Sequence, residues 1–239
     1  MHYRHLGPES IAYYEANAQG FFDGTVALDL SVLHTRFLAW LPAGGHILDA
    51  GCGSGRDARA FLEQGYTMTA CDASPALAAL ASTHCGLPVQ VLRLEEIDWQ
   101  ARFDGIWACA SLLHLSLLEL PPVLLRLAVA LKPNGILFTS FKHGQGEREH
   151  GGRRFTDLDE AGLAALVRAA PYFTVLETWI TLDRRPEQTD DRWLNALLKV
   201  QALFWRTSWP SCRPTRLAPC RALSCAVALA PTSAAKSPP

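Results

Sequence analysis

The sequence lacks the features that mark several easily recognised protein classes. Its seven cysteines contain no CxxC pair, so the common zinc and dithiol redox signatures are absent. No uncharged apolar run approaches the ~20 residues needed to cross a bilayer. The first ten residues, MHYRHLGPES, contain no apolar segment typical of a secretory signal. These absences predict a reduced, cytoplasmic protein with no membrane span and no bound metal.

The chain also lacks an excess of charge of either sign. It has 22 Lys and Arg against 23 Asp and Glu, which gives a formal net charge of −1. Such a balance provides no electrostatic surface for nucleic acid or an anionic membrane. Hydrophobic residues make up 49% of the 239 residues, which excludes disorder for most of the chain and predicts one main globular domain.

Acidic residues are absent from the last part of the chain, from Arg192 to Pro239. Beyond Arg206 the apolar periodicity ends, and Pro, Ser, Ala, Arg and Cys dominate. We therefore predict an N-terminal helical cap over 1–42, a main domain over 43–202 and a disordered tail over 203–239. A segment translated out of its ancestral frame and a basic interaction arm are alternatives for the tail, to which we assign no function.

Between these ends the sequence predicts strands that alternate with helices. Helical periodicity covers 8–41, with Ser31 as a cap of the second helical stretch. Predicted strands cover 46–50, 66–71, 89–94, 105–110, 136–141, 175–182 and 193–200. Predicted helices cover 56–64, 75–83, 122–131 and 157–169. A turn over 132–135 is predicted to follow the helix over 122–131, and Thr156 is predicted to cap the helix over 157–169. The alternation is typical of a parallel sheet covered on both faces, with a Gly-rich loop over 143–154.

The segment ILDAGCGSGR at 47–56 is the most informative one. A strand that turns sharply into a helix needs residues without a Cβ, and it leaves free backbone N–H groups at the start of the helix. The spacing is G-x-G-x-G, which differs from the G-x-G-x-x-G of dinucleotide-binding folds. Asp49, directly before the glycines, repels a pyrophosphate and attracts an ammonium group.

A second acid, Asp72, ends the next predicted strand, 17 residues after Gly55. Because neighbouring parallel strands end at the same edge, Asp72 is expected to reach a ligand held by the glycine segment. A carboxylate at this point accepts hydrogen bonds from a ribose diol. One acid for an amine and another for a ribose favour S-adenosylmethionine over NAD.

The segments LDAGCGSGRD (48–57), TACDASP (69–75), FDGIWACASLLHL (103–115) and LKPNGILFTSF (131–141) resemble the class I S-adenosylmethionine-dependent methyltransferase superfamily. The resemblance covers about residues 30–200. Within that superfamily, the chain resembles the small methyltransferases that are grouped with tellurite-resistance proteins. It implies a doubly wound, mostly parallel α/β sheet of seven strands in the order 3-2-1-4-5-7-6, with strand seven antiparallel.

The resemblance also implies roles for individual residues. Asp49 faces the amino group of the cofactor directly or through water, and Asp72 faces the ribose. The remaining predicted cofactor-binding residues are Gly51, Gly53, Ala73, Leu94, Glu95 and Ala110. The family often places an acid after the third strand for the adenine amino group, whereas this sequence has Arg93 there, followed by acids at Glu95 and Glu96.

On the acceptor side, the candidate catalytic residues are His114, Arg153 and Tyr14. His114 is a candidate general base, with a structural histidine at a helix start as the alternative. Arg153 follows the Gly-rich loop and is a candidate for binding an anionic substrate, with a solvated charge as the alternative. Tyr14 lies on an N-terminal helix that covers the cofactor in this superfamily, with plain packing as the alternative.

These features predict an S-adenosylmethionine-dependent methyltransferase with a small-molecule acceptor. A nucleic-acid substrate is disfavoured because ASLL at 110–113 stands where DNA methylases carry Asn/Asp-Pro-Pro-Tyr/Phe. A non-catalytic cofactor-binding module and a nicotinamide-dependent oxidoreductase are the alternative functions. The sequence predicts neither the acceptor atom nor the oligomeric state.

Overall fold

The computed structural model describes residues 7–185 and 191–201, with side chains from Ser10 onward. These residues belong to one compact unit of the chain, Met1–Ser208. The predicted tail over 203–239 lies outside the described residues. No helix in the described ranges is long and apolar enough to cross a membrane.

Strands and helices alternate along most of this unit. The described chain begins with helices α1 (Gly7–Ala16), α2 (Ala18–Thr25) and α3 (Ser31–Leu38). The next elements are β1 (His46–Ala50), α4 (Arg56–Glu63), β2 (Thr67–Asp72), α5 (Pro75–Cys85), β3 (Val89–Val91), β4 (Phe103–Ala108), α6 (Leu120–Ala130) and β5 (Leu131–Lys142). The last described elements are β6 (Gly146–His150), β7 (Arg153–Asp157), α7 (Glu160–Ala169), β8 (Phe173–Leu182) and β9 (Arg192–Val200).

Seven of these strands form one sheet in the order β3-β2-β1-β4-β5-β9-β8. β1 pairs in parallel with β2 and β4, whereas β9 is antiparallel to both β5 and β8. β6 and β7 form a separate hairpin, so β8 and β9 are the sixth and seventh strands of the main sheet. The predicted fold, strand order and antiparallel seventh strand are therefore confirmed.

Alternate residues of the central strands fill two different cores. Ile47 and Trp107 pack with Phe37 of α3 and Phe61 of α4 on one face of the sheet. Leu48 and Ile106, their chain neighbours, join the leucines of α6 and α7 on the other face. Because successive strand residues point to opposite faces, a strand apolar at every position must be covered on both sides. The indole of Trp107 stacks on Phe138 at 3.9 Å between ring centroids, which fills the first core.

Two predicted helix caps are wrong. Ser31 is the first residue within α3, with Leu30 before it, and the N–H of Ser31 donates to Asp29 Oδ1 at 2.8 Å. Thr156 belongs to β7, where its hydroxyl donates to the Leu115 carbonyl at 2.6 Å. Asp159 caps α7 instead, because its carboxylate accepts the N–H of Gly162 at 2.7 Å.

Three other predicted segments differ from the structure. The third strand ends at Val91 and is followed by a short 3₁₀ turn, Leu94–Glu96. The predicted turn over 132–135 is part of β5, with a local irregularity at Asn134, whose φ is 66°. The predicted loop over 143–154 contains the β6–β7 hairpin, whose strands pair from Gly146 opposite Asp157 to His150 opposite Arg153.

Candidate active site

A cavity of about 640 Å³ opens at the edge of the sheet where β1, β2, β4 and β5 end. Its volume lies in the range of small-ligand sites, and its position is where open α/β sheets bind ligands. We call the wall formed by Gly51, Gly53, Asp72 and Ala73 the glycine side. We call the wall formed by Tyr14, His114, Lys142, Arg153 and Phe155 the hairpin side.

The cavity collects all but one of the residues predicted from the sequence. The residues lining it include Tyr14, Gly51, Gly53, Asp72, Ala73, Leu94, Glu95, Ala110, His114 and Arg153. The exception is Asp49, which is buried and is not among the lining residues in the described part of the chain. The placement leaves the individual roles of these residues as predictions.

The glycine segment is a rigid corner held by its neighbours. Gly51 and Gly53 have φ of 77° and 56°, a region that side chains disfavour. A Cβ on Gly51 would lie 2.6 Å from the Cβ of Ser111, so close packing also requires glycine at this position. The Gly51 and Cys52 N–H groups both donate to the Cys71 carbonyl, at 2.9 and 3.0 Å, which ties the corner to β2.

Asp72 is fixed at the end of β2 by backbone donors. Its two carboxylate oxygens accept the N–H groups of Gly53 and Ser74, each at 2.9 Å. Burial raises the pKa of Asp72, and the hydrogen bonds from Ser74, Gly53 and Ala73 oppose that rise. Each carboxylate oxygen has a further lone pair, so the group can still accept hydrogen bonds from a ligand diol.

Asp49 lies within the protein at the end of β1. Its Oδ2 is buried and accepts no hydrogen bond from any residue that the structure describes. Burial raises the pKa of Asp49 well above its ordinary value, and the negative charge of Asp57 raises it further. A buried carboxyl in this state gains from a nearby cation, because an opposite charge favours its ionised form.

Arg56 is a lining residue that the sequence reasoning did not assign. Its Nε and Nη2 donate to the two oxygens of Asp57, each at 2.8 Å, and its Nη1 donates to the Thr25 carbonyl at 3.2 Å. Asp57 is also held by the indole N–H of Trp107 at 2.9 Å and lies 2.9 Å from His34 Nε2. The signal was available, since an Arg-Asp pair follows the last glycine directly.

Asp57 is ionised in spite of its burial. Burial alone raises the pKa of this carboxyl, but the charge of Arg56 and the hydrogen bonds from His34 and Arg56 hold it well below its usual range. The Arg56 guanidinium is correspondingly held charged, since Asp57 raises its pKa. The pair therefore holds the Arg56 guanidinium in one position at the glycine side, with its charge matched by Asp57 and with N–H groups left to donate to a ligand.

Ala110 has a strained backbone at the end of β4. Its φ is 52°, which is uncommon for a residue with a Cβ, and its N–H donates to Ser140 Oγ at 2.8 Å. Such outliers persist where surrounding contacts enforce them, and they cluster at functional sites. Another lining residue, Glu95, pairs with Arg93 at 3.0 Å.

On the hairpin side, Tyr14 and His114 form a hydrogen-bonded pair. His114 Nδ1 lies 2.7 Å from the Arg154 carbonyl, which can only accept, so Nδ1 carries the proton. Burial, with a smaller contribution from the charge of Arg153, lowers the pKa of His114 to about 4, so the ring is neutral. Its Nε2 therefore accepts the Tyr14 hydroxyl at 2.9 Å.

Helix α1 is attached on both sides of the cavity. The Glu15 carboxylate accepts the Ser74 hydroxyl at 2.6 Å and the Ala76 N–H at 3.0 Å, at the start of α5. Ser10 Oγ accepts the Arg154 N–H at 3.0 Å, on the hairpin. Helix α1 therefore bridges the start of α5 and the β6–β7 hairpin and covers this part of the cavity.

Comparison with known proteins finds a methyltransferase domain within the chain. Residues 47–135 match a family described as a methyltransferase domain. The Burkholderia thailandensis 1,6-didemethyltoxoflavin-N1-methyltransferase, solved with bound 1,6-didemethyltoxoflavin and S-adenosylhomocysteine, has a TM-score of 0.67 and 27% identity. That alignment covers 82% of this chain and 87% of the other. Among curated protein sequences, none matches the chain significantly.

Two further solved structures share the fold at lower identity. A TehB-like S-adenosylmethionine-dependent methyltransferase from Corynebacterium glutamicum has a TM-score of 0.59 and 21% identity, covering 80% of this chain and 99% of that one. A methyltransferase from Methanosarcina mazei has a TM-score of 0.62 and 17% identity, covering 73% and 99%. The family match and the sheet order agree: residues 47–135 form a methyltransferase domain, and the chain has the class I S-adenosylmethionine-dependent methyltransferase fold.

Proposed function

We propose that this methyltransferase transfers the methyl group of S-adenosylmethionine to a small molecule bound on the hairpin side of the cavity. The observation that carries the proposal is the single cavity in which the glycine corner and Asp72 face the same space as Tyr14, His114 and Arg153. Bound there, S-adenosylmethionine supplies an electrophilic methyl group on a sulfonium sulfur. The protein's main task is then to align an acceptor with that methyl group.

The glycine side fits the nucleoside part of this cofactor. Asp72 is assigned to the ribose hydroxyls, because its carboxylate lines the cavity and is held in place by Gly53 and Ser74. Ala73, the next residue, is assigned to the adenine face. Leu94 is assigned a backbone contact to adenine, and Glu95 a polar contact that competes with its ion pair to Arg93.

The cofactor's amino-acid part carries one positive and one negative charge, and the glycine side offers a group for each. The unpartnered Oδ2 of Asp49 supports a contact to the amino group, which we assign to a bridging water because Asp49 does not line the cavity. Arg56, fixed by Asp57, is assigned to the carboxylate. Gly51, Gly53 and Ala110 are assigned backbone contacts to this part.

A small acceptor is supported by what covers the hairpin side. Helix α1 is joined to the β6–β7 hairpin there directly by the hydrogen bond of Ser10 and indirectly by Tyr14, whose partner His114 also bonds to the Arg154 carbonyl. Aromatic and charged side chains line the space beside these contacts. The Burkholderia relative was solved with a small heterocyclic molecule, 1,6-didemethyltoxoflavin. The likeness to the TehB-like protein, at 21% identity, supports the shared fold and does not select its substrate.

Tyr14 is proposed as the residue that touches the acceptor, and His114 as its positioning residue. Both ring nitrogens of His114 are engaged, by Tyr14 and by the Arg154 carbonyl, so His114 acts through Tyr14. With its proton directed at His114, the Tyr14 oxygen can accept a hydrogen bond from an acceptor O–H or N–H. That contact would direct the acceptor's lone pair at the methyl group. The new bond would form as the methyl–sulfur bond breaks, and the acceptor's proton would pass to solvent.

Calorimetric titration with S-adenosylhomocysteine tests the cofactor assignments. We expect saturable binding by the wild type and at least tenfold weaker binding by Asp72→Asn, which loses a charged acceptor of two ribose hydrogen bonds (a hydrogen bond to a charged group contributes about 1.5–3 kcal/mol). The surface variant Glu63→Gln is the control and should bind like the wild type. Wild-type affinity in a folded Asp72→Asn protein would contradict the ribose assignment.

A further inference from the structure

Most cations on the hairpin side are neutralised by acids of the same chain. Lys142 pairs with Asp183 at 3.1 Å and with Asp191, and Arg148 pairs with Asp157. These cations are therefore compensated before any ligand enters. Their charges stabilise the local structure and leave little field for an incoming anion.

Arg153 differs from these cations. Within the part of the chain that the structure describes, no carboxylate lies within ion-pair distance of its guanidinium, and its Nε is buried without a hydrogen-bond partner. Its neighbour Arg154 is paired with Glu119 at 3.7 Å. Arg153 is half-buried, and a cation partly withdrawn from water without a counter-ion is unfavourable, so an unpaired one that lines a cavity points to a ligand.

Aromatic rings fix the position of this cation. The guanidinium carbon of Arg153 lies 4.4 Å from the ring centroid of Tyr13, 5.2 Å from that of Phe155 and 5.9 Å from that of Tyr14. Burial raises the pKa of Tyr14, and the neighbouring Arg153 guanidinium opposes that rise. The rings stabilise the cation by cation–π contacts but supply no negative charge.

We propose that Arg153 is the specificity-determining residue for the methyl acceptor, and that the acceptor is a small aromatic or heterocyclic molecule carrying an oxyanion. The inference rests on the proposed function and adds the charge of the substrate to it. The unpaired Nε and the remaining guanidinium N–H groups would donate to the oxyanion, while the rings around Arg153 favour a planar molecule beside it. A carboxylate and a deprotonated ring hydroxyl are the two sources of such an oxyanion.

Binding of matched probes to the protein saturated with S-adenosylhomocysteine tests the proposal by calorimetry. Benzoate is compared with neutral benzamide, and 4-nitrophenolate with nitrobenzene. We expect at least one anion to bind about tenfold or more tightly than its neutral partner. A preference for benzoate alone identifies a carboxylate acceptor, and a preference for 4-nitrophenolate alone identifies a deprotonated hydroxyl. Equal binding within both pairs overturns the proposal.

Two variants on the same hairpin assign the preference to a residue. We expect Arg153→Gln to lose the preference for the anion, and Arg148→Gln, whose charge is already matched by Asp157, to retain it. Retention of the full preference by Arg153→Gln overturns the proposal. If Arg153→Gln does not fold, Arg153→Lys replaces it. In that variant we expect the preference for the anion to fall at least about threefold, because lysine lacks the planar donor group. An unchanged preference in Arg153→Lys also overturns the proposal.

The same titrations separate this inference from the proposed function. We expect S-adenosylhomocysteine to bind Arg153→Gln within about twofold of the wild type, since Arg153 lies on the hairpin side. Failure of the wild type to bind S-adenosylhomocysteine would contradict the proposed function. Normal S-adenosylhomocysteine binding without any preference for anions would contradict only the role of Arg153.

Discussion

Gly51 and Gly86 have nearly the same backbone conformation in different surroundings. Their φ values are 77° and 76°. A Cβ on Gly51 would lie 2.6 Å from Ser111, whereas a Cβ on Gly86 would have no atom within 4 Å. The pair therefore separates two reasons for glycine, the left-handed conformation itself and the close approach of another chain segment.

We expect Gly51→Ala to destabilise the protein more than Gly86→Ala. Both substitutions carry the cost of a side chain in the left-handed region, roughly 1–2 kcal/mol. Gly51→Ala adds a steric conflict with Ser111, worth about 1–3 kcal/mol further. Urea unfolding measures the difference. Equal losses of unfolding free energy in the two variants would show that the corner relaxes around the added methyl group.

The buried His114 predicts a pH dependence of stability. Its pKa is about 4 in the folded protein against 6.5 for an ordinary histidine, so at intermediate pH the unfolded chain binds a proton that the folded protein does not. Stability therefore falls as the pH drops from 6.5 towards 4, by at most about 1.4 kcal/mol per pH unit from this group, and is unaffected by it above 6.5.

The variant His114→Gln isolates this effect from the titration of other acids. An amide can still donate to the Arg154 carbonyl and accept from Tyr14, but it does not titrate. In urea unfolding across this pH range, we expect the stability of the wild type relative to His114→Gln to decrease by about 2 kcal/mol on acidification. A constant difference between the two proteins would mean that His114 is protonated normally in the fold.

The sequence could predict the strand-end positions of Asp49 and Asp72 but not the Tyr14–His114 pair. Asp49 and Asp72 lie at strand ends next to a glycine segment, and local spacing is enough to place them. Tyr14 and His114 are 100 residues apart, and no periodicity in either segment indicates that they meet. The burial of Asp49 could not be predicted either. Residue spacing predicts where a strand ends but not the direction in which a side chain points.

At the scale of elements, α1 acts as a cover held by a few polar contacts. Glu15 provides its link to the start of α5, where it accepts the Ser74 hydroxyl and the Ala76 N–H. These hydrogen bonds lower the pKa of Glu15, and the bond from Ser74 has a larger effect than the bond from Ala76. An acid beside a helix N-terminus also stabilises the helix, because the free N–H groups of the first helical turn carry partial positive charge.

We expect Glu15→Ala to loosen α1 without unfolding the sheet. Amide hydrogen exchange should become faster within α1, while exchange in β1 and β4 stays slow, since those strands are buried on both faces. Asp23→Ala is the matched control, because Asp23 lies on the next helix, where it accepts an exposed hydrogen bond from Gln19. Unchanged exchange in α1 would show that Ser10 and Tyr14 hold the helix without Glu15.

The β6–β7 hairpin shows how an element can be missed although its signal is present. Gly151 and Gly152 have φ of 57° and 73°, which a two-residue hairpin turn requires. The Gly-Gly pair lies between EREH and RRFT, and this pattern is typical of a hairpin. The strands β1, β4 and β5 were easier to predict because their apolar runs are buried on both faces, whereas β6 is exposed along its length.

At the scale of the molecule, the fold determines the cofactor more strongly than the acceptor. The parallel sheet brings the ends of β1 and β2 together, which fixes the distance between the glycine corner and Asp72. The hairpin side is instead assembled from α1, the β6–β7 hairpin and the ends of β5 and β9, which are distant in sequence. Because one fold can host many different functions, the shared fold cannot select one acceptor.

Ligand-induced stabilisation distinguishes the methyl-donor site from a nicotinamide site on a related sheet. A ligand that binds only the folded protein raises the unfolding free energy by about 2.7 kcal/mol at 100 times its Kd. We expect S-adenosylhomocysteine to raise the thermal unfolding midpoint of the wild type, and NADH at the same concentration to leave it unchanged. The corner spans G-x-G-x-G with Asp49 directly before it, so a pyrophosphate has no favourable seat there. Asp72→Asn should reduce the rise in the unfolding midpoint that S-adenosylhomocysteine causes. Equal stabilisation by NADH and S-adenosylhomocysteine would contradict the assignment of the corner to the methyl donor.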